Sequence, residues 1–160
     1  MGDFSIRKAE TGDTALILAL LRELADYEKL LDRFVLTQAD IARDMLGPDA
    51  ICHCALAFAG ETPAGIATWL WTYKTFGARR SLYLEDLYVR PAFRARGLGR
   101  GLFHWLAGEA VAQKAAAMEW QVLDWNAPSI QFYRGLGARP VEEWINYRLQ
   151  GEALQALADA

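Results

Sequence analysis

The chain has 160 residues, 53% of them hydrophobic, and a formal net charge of -3. That length and apolar content suit one folded domain over residues 1–160 and exclude a disordered chain, while the slightly acidic balance excludes a broad basic surface for nucleic acid. No apolar run reaches the roughly 20 residues of a membrane span, and the N-terminal MGDFSIRKAE has no signal-peptide core, so the expected location is the cytoplasm, with no membrane and no nucleic-acid partner.

Taken in chain order, FSIRKA (4–9) alternates apolar and polar residues and predicts a strand. Thr11 is placed to cap a helix over about 13–28, whose apolar stripe is Ile17, Leu20, Leu21 and Leu24. A second helix over 38–46 has Thr37 as its cap and Gly47-Pro48 at its end. CHCALAFAG and AGIATWLWTY read as a hairpin turning at Gly60–Pro63. SLYLEDLYV (81–89) is the strongest strand signal, ended by Pro91, and a helix rich in alanine and leucine covers about 98–116. MEWQVLDW (118–125) predicts a strand, and PSIQFYRGL (128–136) a short helix closed by Gly137. Two short strands are expected near 140–149, then a tail helix. Strand 81–89, helix and strand 118–125 form a crossover unit, which demands a parallel pair. The result is an α/β fold: a mixed, mostly antiparallel sheet of about seven strands with helices on both faces.

Cys52 and Cys54 flank His53 on a strand, so the two thiols share one face, turned into the core, and His53 points outward. A metal site needs three or four ligands, and no second cluster follows, so no metal is expected. His104 reads as an ordinary residue of the long helix.

The densest motif is RARGLGRGLF (94–103), between strand 81–89 and the long helix. First-turn N–H groups lack helical partners and the helix dipole adds positive charge, so a strand–glycine turn–helix junction suits phosphate. Glycine admits a ligand close to the backbone, and Arg94, Arg96 and Arg100 add charged donors. The loop lacks the Gly-Lys-Ser/Thr ending of a P-loop. A G-x-G-x-x-G fingerprint starting at Gly97 would need a glycine where Leu102 stands.

Arg94-Ala95-Arg96-Gly97-Leu98-Gly99 resembles the pyrophosphate loop of the GNAT superfamily of N-acetyltransferases, which bind acetyl-CoA. YLEDLYV, DWNAPSIQFYRGLGA and LRELADYEKL are similar to its diamine branch, the spermidine/spermine N-acetyltransferase type. The resemblance runs over roughly residues 4–149 and implies the superfamily's fold, in which the strands at 81–89 and 118–125 splay apart. It also implies acetyl-CoA as donor, coenzyme A as product, a small-molecule amine as acceptor and a homodimer. Leu87, Tyr88 and Val89 would offer backbone groups to the pantetheine arm, and Ala95, Arg96, Gly97, Leu98, Gly99 and Arg100, with Arg94, would cradle the pyrophosphate. Asn126, Ser129 and Tyr133 would contact the cofactor arm, with Tyr133 near the thioester sulfur.

The implied reaction is attack of a primary amine on a thioester. Free alkylamines are mostly protonated near neutral pH, so a carboxylate should take a proton, and Glu85 is the candidate. The N–H of Leu87 could stabilise the developing oxyanion, and the Tyr133 hydroxyl could serve the departing thiolate. Tyr27, Glu28, Glu85 and Asp86 are the expected acceptor contacts. Adjacent on a strand, Glu85 and Asp86 are expected on opposite faces. Where polyamine enzymes of this type carry an acid and a tryptophan, this chain reads TYKTFGARRS. Lys74, Arg79 and Arg80 would repel a long polycation, which favours a short diamine or a lysine-like amino acid. An enzyme acting on a protein amine and a non-catalytic acyl-CoA-binding module are the alternatives; the second has no use for Glu85 or Tyr133.

Overall fold

The computed structural model describes residues 4–160, and they divide into two compact units, one ending at Gln121 and one running from Val122 to Ala160. The first unit contains β1 (Phe4–Lys8), α1 (Thr14–Tyr27), α2 (Gln38–Asp44), β2 (His53–Ala59), β3 (Thr62–Lys74), β4 (Arg79–Val89), α3 (Leu98–Ala112) and β5 (Met118–Trp120). The second contains α4 (Ala127–Gly135) and α5 (Glu152–Ala158). The sheet order is β1-β2-β3-β4-β5, antiparallel through β4 and parallel between β4 and β5. The crossover through α3 accounts for that parallel pair.

Helix α1 buries Ile17, Leu20, Leu21 and Leu24, the three-and-four spacing of a single stripe. With Ile41 and Met45 from the α2 region they pack on Cys54, Leu56, Ile66 and Tyr88 of the sheet. The opposite sheet face belongs to α3. The Trp105 ring lies 5.6 Å from Trp69 and the Phe103 ring 5.1 Å from Trp120. Strand alternation separates the two faces: Ile66 and Thr68 look toward α1, Ala67 and Trp69 toward α3. At Gly65 a Cβ would come within 2.7 Å of the Tyr88 carbonyl, so only glycine allows β3 and β4 to approach there.

Several sequence expectations change. Thr11 does not cap α1: it opens a short 3₁₀ turn, Thr11–Asp13, and the Asp13 carboxylate turns back to accept the Glu10 N–H at 2.7 Å and to pair with Arg7. Thr37 does cap α2, in a reciprocal capping box with Asp40. Pro63 belongs to β3 rather than to the turn, which is made at Gly60 with φ +59°. His53 is not on the solvent side of an outer strand; its ring lies 5.5 Å from Trp69 under the α3 face. The final strand ends at Trp120 rather than 125, because the chain turns at 123–126 to start α4. No strand forms over 140–149 among the described residues; a strand exists only with a ladder partner, and that segment has none there. The sheet therefore has five strands rather than about seven, with the expected mixed α/β character intact.

Candidate active site

Strand β4 is the backbone of the site, and its register departs from simple alternation. Trp69 pairs with Leu84 and Thr68 with Asp86, which leaves Glu85 as the extra residue of a β-bulge. Before the bulge, Leu82 and Leu84 sit opposite Trp71 and Trp69, on the α3 face. After it, Leu87 sits opposite Ala67 on that face, while Asp86 and Tyr88 sit opposite Thr68 and Ile66, toward α1. The bulge thus carries Asp86 to the α1 side and leaves Glu85 exposed and without a ladder partner. The Asp86 charge raises the cost of ionising its neighbour Glu85.

The electrostatics follow. Partial burial, with the neighbouring Asp86 charge, pushes the Glu85 carboxyl above its ordinary value. Burial raises Asp86 too, opposed by the hydrogen bond it receives from Thr68. Glu28, at the C-terminal end of α1, is likewise raised by burial and by Asp86. Three carboxylates therefore converge from α1 and β4. Among the described residues none of them takes part in an ion pair. Cys52 borders the same group: burial, then Asp86 and Glu85, push its thiol up to about 11, so it is a protonated wall and not a nucleophile.

The end of β4 is clamped to α1. Arg90 donates to both carboxylate oxygens of Glu23, at 3.0 and 2.6 Å, and to the Pro63 carbonyl at 2.8 Å. One helical turn beyond Glu23 stands Tyr27. The Arg94 guanidinium lies 4.6 Å from the Tyr27 ring and 5.7 Å from the Tyr88 ring, and its Nε donates to the Val89 carbonyl at 2.8 Å. Here Arg94 binds the glycine loop to α1 and β4 instead of pointing free into solvent.

Backbone directions along β4 can be read from hydrogen bonds. The Asp86 N–H donates toward β3, to Thr68 Oγ1 at 3.2 Å, and the Arg90 N–H donates to Ala64 O at 3.0 Å. The intervening Leu87 and Val89 therefore turn their N–H and C=O groups to the other edge, and the β4–β5 ladder already ends at Leu84 opposite Trp120. Tyr88, expected as a third exposed position, instead turns its backbone to β3 opposite Ile66, while its buried ring lies beneath Arg94.

The loop itself has Ala95 at φ 58° and Gly97 at φ 86°, both left-handed. Gly97 is the N-cap of α3 and brings no side-chain acceptor, so the first-turn N–H groups of Leu98, Gly99 and Arg100 meet none. A Cβ at Gly97 or Gly99 would touch nothing within 4 Å, so the backbone there is open to a ligand. Arg96 and Arg100 stand on the exposed side of this turn.

In the second unit, Asn126 caps α4, its side chain accepting the Ser129 N–H at 3.3 Å. The Ser129 side chain hydrogen-bonds Tyr133 one turn on, and burial raises the Tyr133 phenol above its ordinary value, more than that bond lowers it. Asn126, Ser129 and Tyr133 are thus brought together on one helix. The first unit brings together Tyr27, Glu28, Glu85, Asp86, Leu87, Val89 and the loop. Reading the sequence missed Thr68 and Cys52; a lone threonine inside the apolar run AGIATWLW was the available signal.

The cations expected to repel a polycation are partly engaged. Lys74 pairs with Glu119 at 2.8 Å, and Arg80 lies 5.3 Å from the Trp71 ring with a hydrogen bond to Gln113. Among the described residues no helix is long and apolar enough to cross a membrane, and no group of three or more His, Cys, Asp or Glu is arranged to hold a metal ion.

A model of the Acetyltransferase (GNAT) family matches residues 16–138. The chain is 34% identical to thialysine N-epsilon-acetyltransferase of Sus scrofa, over 99% of both chains. It is 34% identical to spermidine/spermine N(1)-acetyltransferase-like protein 1 of Homo sapiens, over 99% of this chain and 24% of that longer one. An integron cassette protein from the mobile metagenome of V. cholerae superposes with a TM-score of 0.84 at 21% identity, over 100% of each chain.

Proposed function

Because the chain belongs to the Acetyltransferase (GNAT) family, and within it to the diamine acetyltransferase branch, we propose that it acetylates one primary amine of a small two-ended molecule: a diamine, a polyamine or a lysine-like amino acid. The observation that carries this reading is the convergence of Glu28, Glu85 and Asp86, none of them in an ion pair among the described residues. Burial raises all three carboxyls, and the Asp86 charge adds to the rise of Glu28 and Glu85, a cost that an arriving ammonium relieves. A protein amine as acceptor has no such need for a second cationic end.

The donors of the first unit fit acetyl-CoA. The uncapped first turn of α3 and the open faces of Gly97 and Gly99 suit a pyrophosphate, and the turned-out groups of Leu87 and the N–H of Val89, whose carbonyl is taken by Arg94, suit amides of an extended arm. These residues, with Arg96 and Arg100 near the phosphates and Asn126 and Ser129 toward the arm, are the proposed holders. Acetyl-CoA, when bound, supplies the acyl group as a thioester. Glu85 takes a proton from the acceptor ammonium, directly or through water; its raised pKa brings it closer to the working pH and makes it a better base than an ordinary carboxylate. The Leu87 N–H donates to oxygen where negative charge grows. Tyr133 serves as the donor to the departing sulfur, a role carried by its place in the motif. Glu28 and Asp86 hold the acceptor's second cationic end.

We further propose one acetyltransferase domain, supported by a family match that spans both compact units, working as a cytoplasmic homodimer. The test is an acceptor panel with acetyl-CoA: thialysine, lysine, ornithine, putrescine, spermidine and a monoamine, read by thiol release. Turnover of a two-ended amine with a higher kcat/KM than the monoamine is expected. Absence of turnover across the panel would overturn the reading, and acetylation of a protein amine alone would move it to that alternative.

A further inference from the structure

Thr68 is 1% exposed and is one of two buried polar residues among those described, the other being Ser81. It sits in the middle of an apolar strand, between Ala67 and Trp69, on the α1 face of the sheet. A buried hydroxyl costs free energy unless it is hydrogen-bonded, and a valine of the same shape would pack there without that cost. The Thr68 hydroxyl serves Asp86 twice: Oγ1 donates to Asp86 Oδ2 at 2.7 Å and accepts the Asp86 N–H at 3.2 Å. Both bonds fall on the residue that follows the bulged Glu85.

We propose that Thr68 is a positioning residue for acceptor selection: its two hydrogen bonds hold the β4 chain just after the bulge so that Asp86 presents its carboxylate, with Glu28, to the acceptor's second cationic group. The inference rests on the acetyltransferase reading above. A bulge adds one residue to one strand, and the added residue has no ladder partner to fix it. Asp86 is the first position after it, and its N–H, which would ordinarily donate within the ladder, is taken by a side chain. That side chain also grips the carboxylate, so backbone and side chain of Asp86 are set by a single hydroxyl. The bond to Oδ2 favours the ionised carboxylate against the burial that disfavours it. Without the hydroxyl, Asp86 would keep its place in the sequence but lose both its orientation and part of its charge.

The test compares Thr68→Val with Thr68→Ser in the full-length chain. The readout is the ratio of kcat/KM for a diamine to kcat/KM for a monoamine of similar length, with coenzyme A binding followed by thermal shift. A hydrogen bond to a charged group lost at a site that must hold a cation is worth roughly 10- to 100-fold. Thr68→Val should lower the diamine-to-monoamine ratio by about that factor, through the diamine KM. Thr68→Ser should restore it. The coenzyme A shift should be kept in both. An unchanged ratio in Thr68→Val, or equal loss for both amines with a weakened coenzyme A shift, would reduce Thr68 to a structural residue. Should Thr68→Val not fold, Asp86→Asn answers the same question, because it keeps an oxygen for the Thr68 hydroxyl and removes only the charge. It should raise the diamine KM, and an unchanged KM overturns the proposal. A wild-type protein that turns over no amine at all is a different outcome: it defeats the acetyltransferase reading itself.

Discussion

Gly99 offers a substitution whose effects on the free and the ligand-bound protein should have opposite signs. It is the second residue of α3, and a Cβ there meets nothing within 4 Å. Replacing a helical glycine with alanine gains up to about 1 kcal/mol of helix propensity. For a chain of this size that raises Tm by roughly 2–4 °C. The same methyl group would occupy the space through which a pyrophosphate reaches the first-turn N–H groups. Losing one hydrogen bond to a charged group costs about 1.5–3 kcal/mol, or roughly 10- to 150-fold in affinity. Take a free-ligand concentration of about 100 times the wild-type Kd, where binding stabilises by about 2.7 kcal/mol. With Kd raised about 30-fold, that term falls to about 0.9 kcal/mol. A wild-type thermal shift of roughly 5–11 °C should therefore shrink to roughly 2–3 °C. The assay is a thermal-shift titration of wild type and Gly99→Ala with coenzyme A. A variant with a raised unliganded Tm and an undiminished ligand shift would refute the placing of the pyrophosphate at this turn. Gly97→Ala is a weaker probe, because φ at Gly97 is +86° and any side chain there is strained for its own reasons.

Tyr133→Phe removes one hydroxyl and keeps the ring, so turnover should fall by roughly 10²- to 10⁴-fold while coenzyme A affinity barely changes; near-normal turnover would return Tyr133 to a packing role. Glu85→Gln should lose most activity at neutral pH, and the loss should shrink as rising pH delivers a neutral amine, whereas a pH-independent loss would mean that Glu85 is not a base. The same variant should keep or raise Tm at pH 7. A carboxyl whose folded pKa is raised contributes stability only below its unfolded pKa and loses that contribution as pH rises through the folded pKa, so a neutral side chain removes a cost at pH 7. A Tm that falls instead would show Glu85 in an unrecognised favourable contact. Light scattering should return twice the mass of one chain at micromolar concentration, and a monomer mass would count against the dimer.

Much of this protein is written in local patterns. Helix α1 can be read from the spacing of Ile17, Leu20, Leu21 and Leu24, and the hairpin β2–β3 from two apolar runs joined at Gly60. The glycine–arginine turn follows from three glycines and three arginines beside a helix, and its chemistry follows from backbone donors that any such turn leaves unpaired. Those features depend on residues within a few positions of one another. The parallel pair also follows, because a strand–helix–strand crossover admits little else.

The bulge at Glu85 could not be read this way. Nothing in LYLEDLYV marks an extra residue, since a bulge is a relation between two strands and appears only when Trp69 meets Leu84 and Thr68 meets Asp86. Alternation along one strand would keep Asp86 on the face of Leu84, and pairing with β3 moves it to the face of Tyr88. The same holds for Arg94, drawn from the loop onto Tyr27 and Tyr88, and for Lys74, paired with Glu119 across the sheet. The strand ending at Trp120 and the absent ladder at 140–149 are further cases, because apolar alternation prepares a segment for a partner without supplying one. The sequence by itself determined which groups this protein has to work with: a glycine–arginine turn, three carboxylates, a tyrosine. Only the tertiary structure decided that Asp86 stands near both Glu28 and Glu85, because its side is set by register with a neighbouring strand, where a buried Thr68 hydroxyl bonds it.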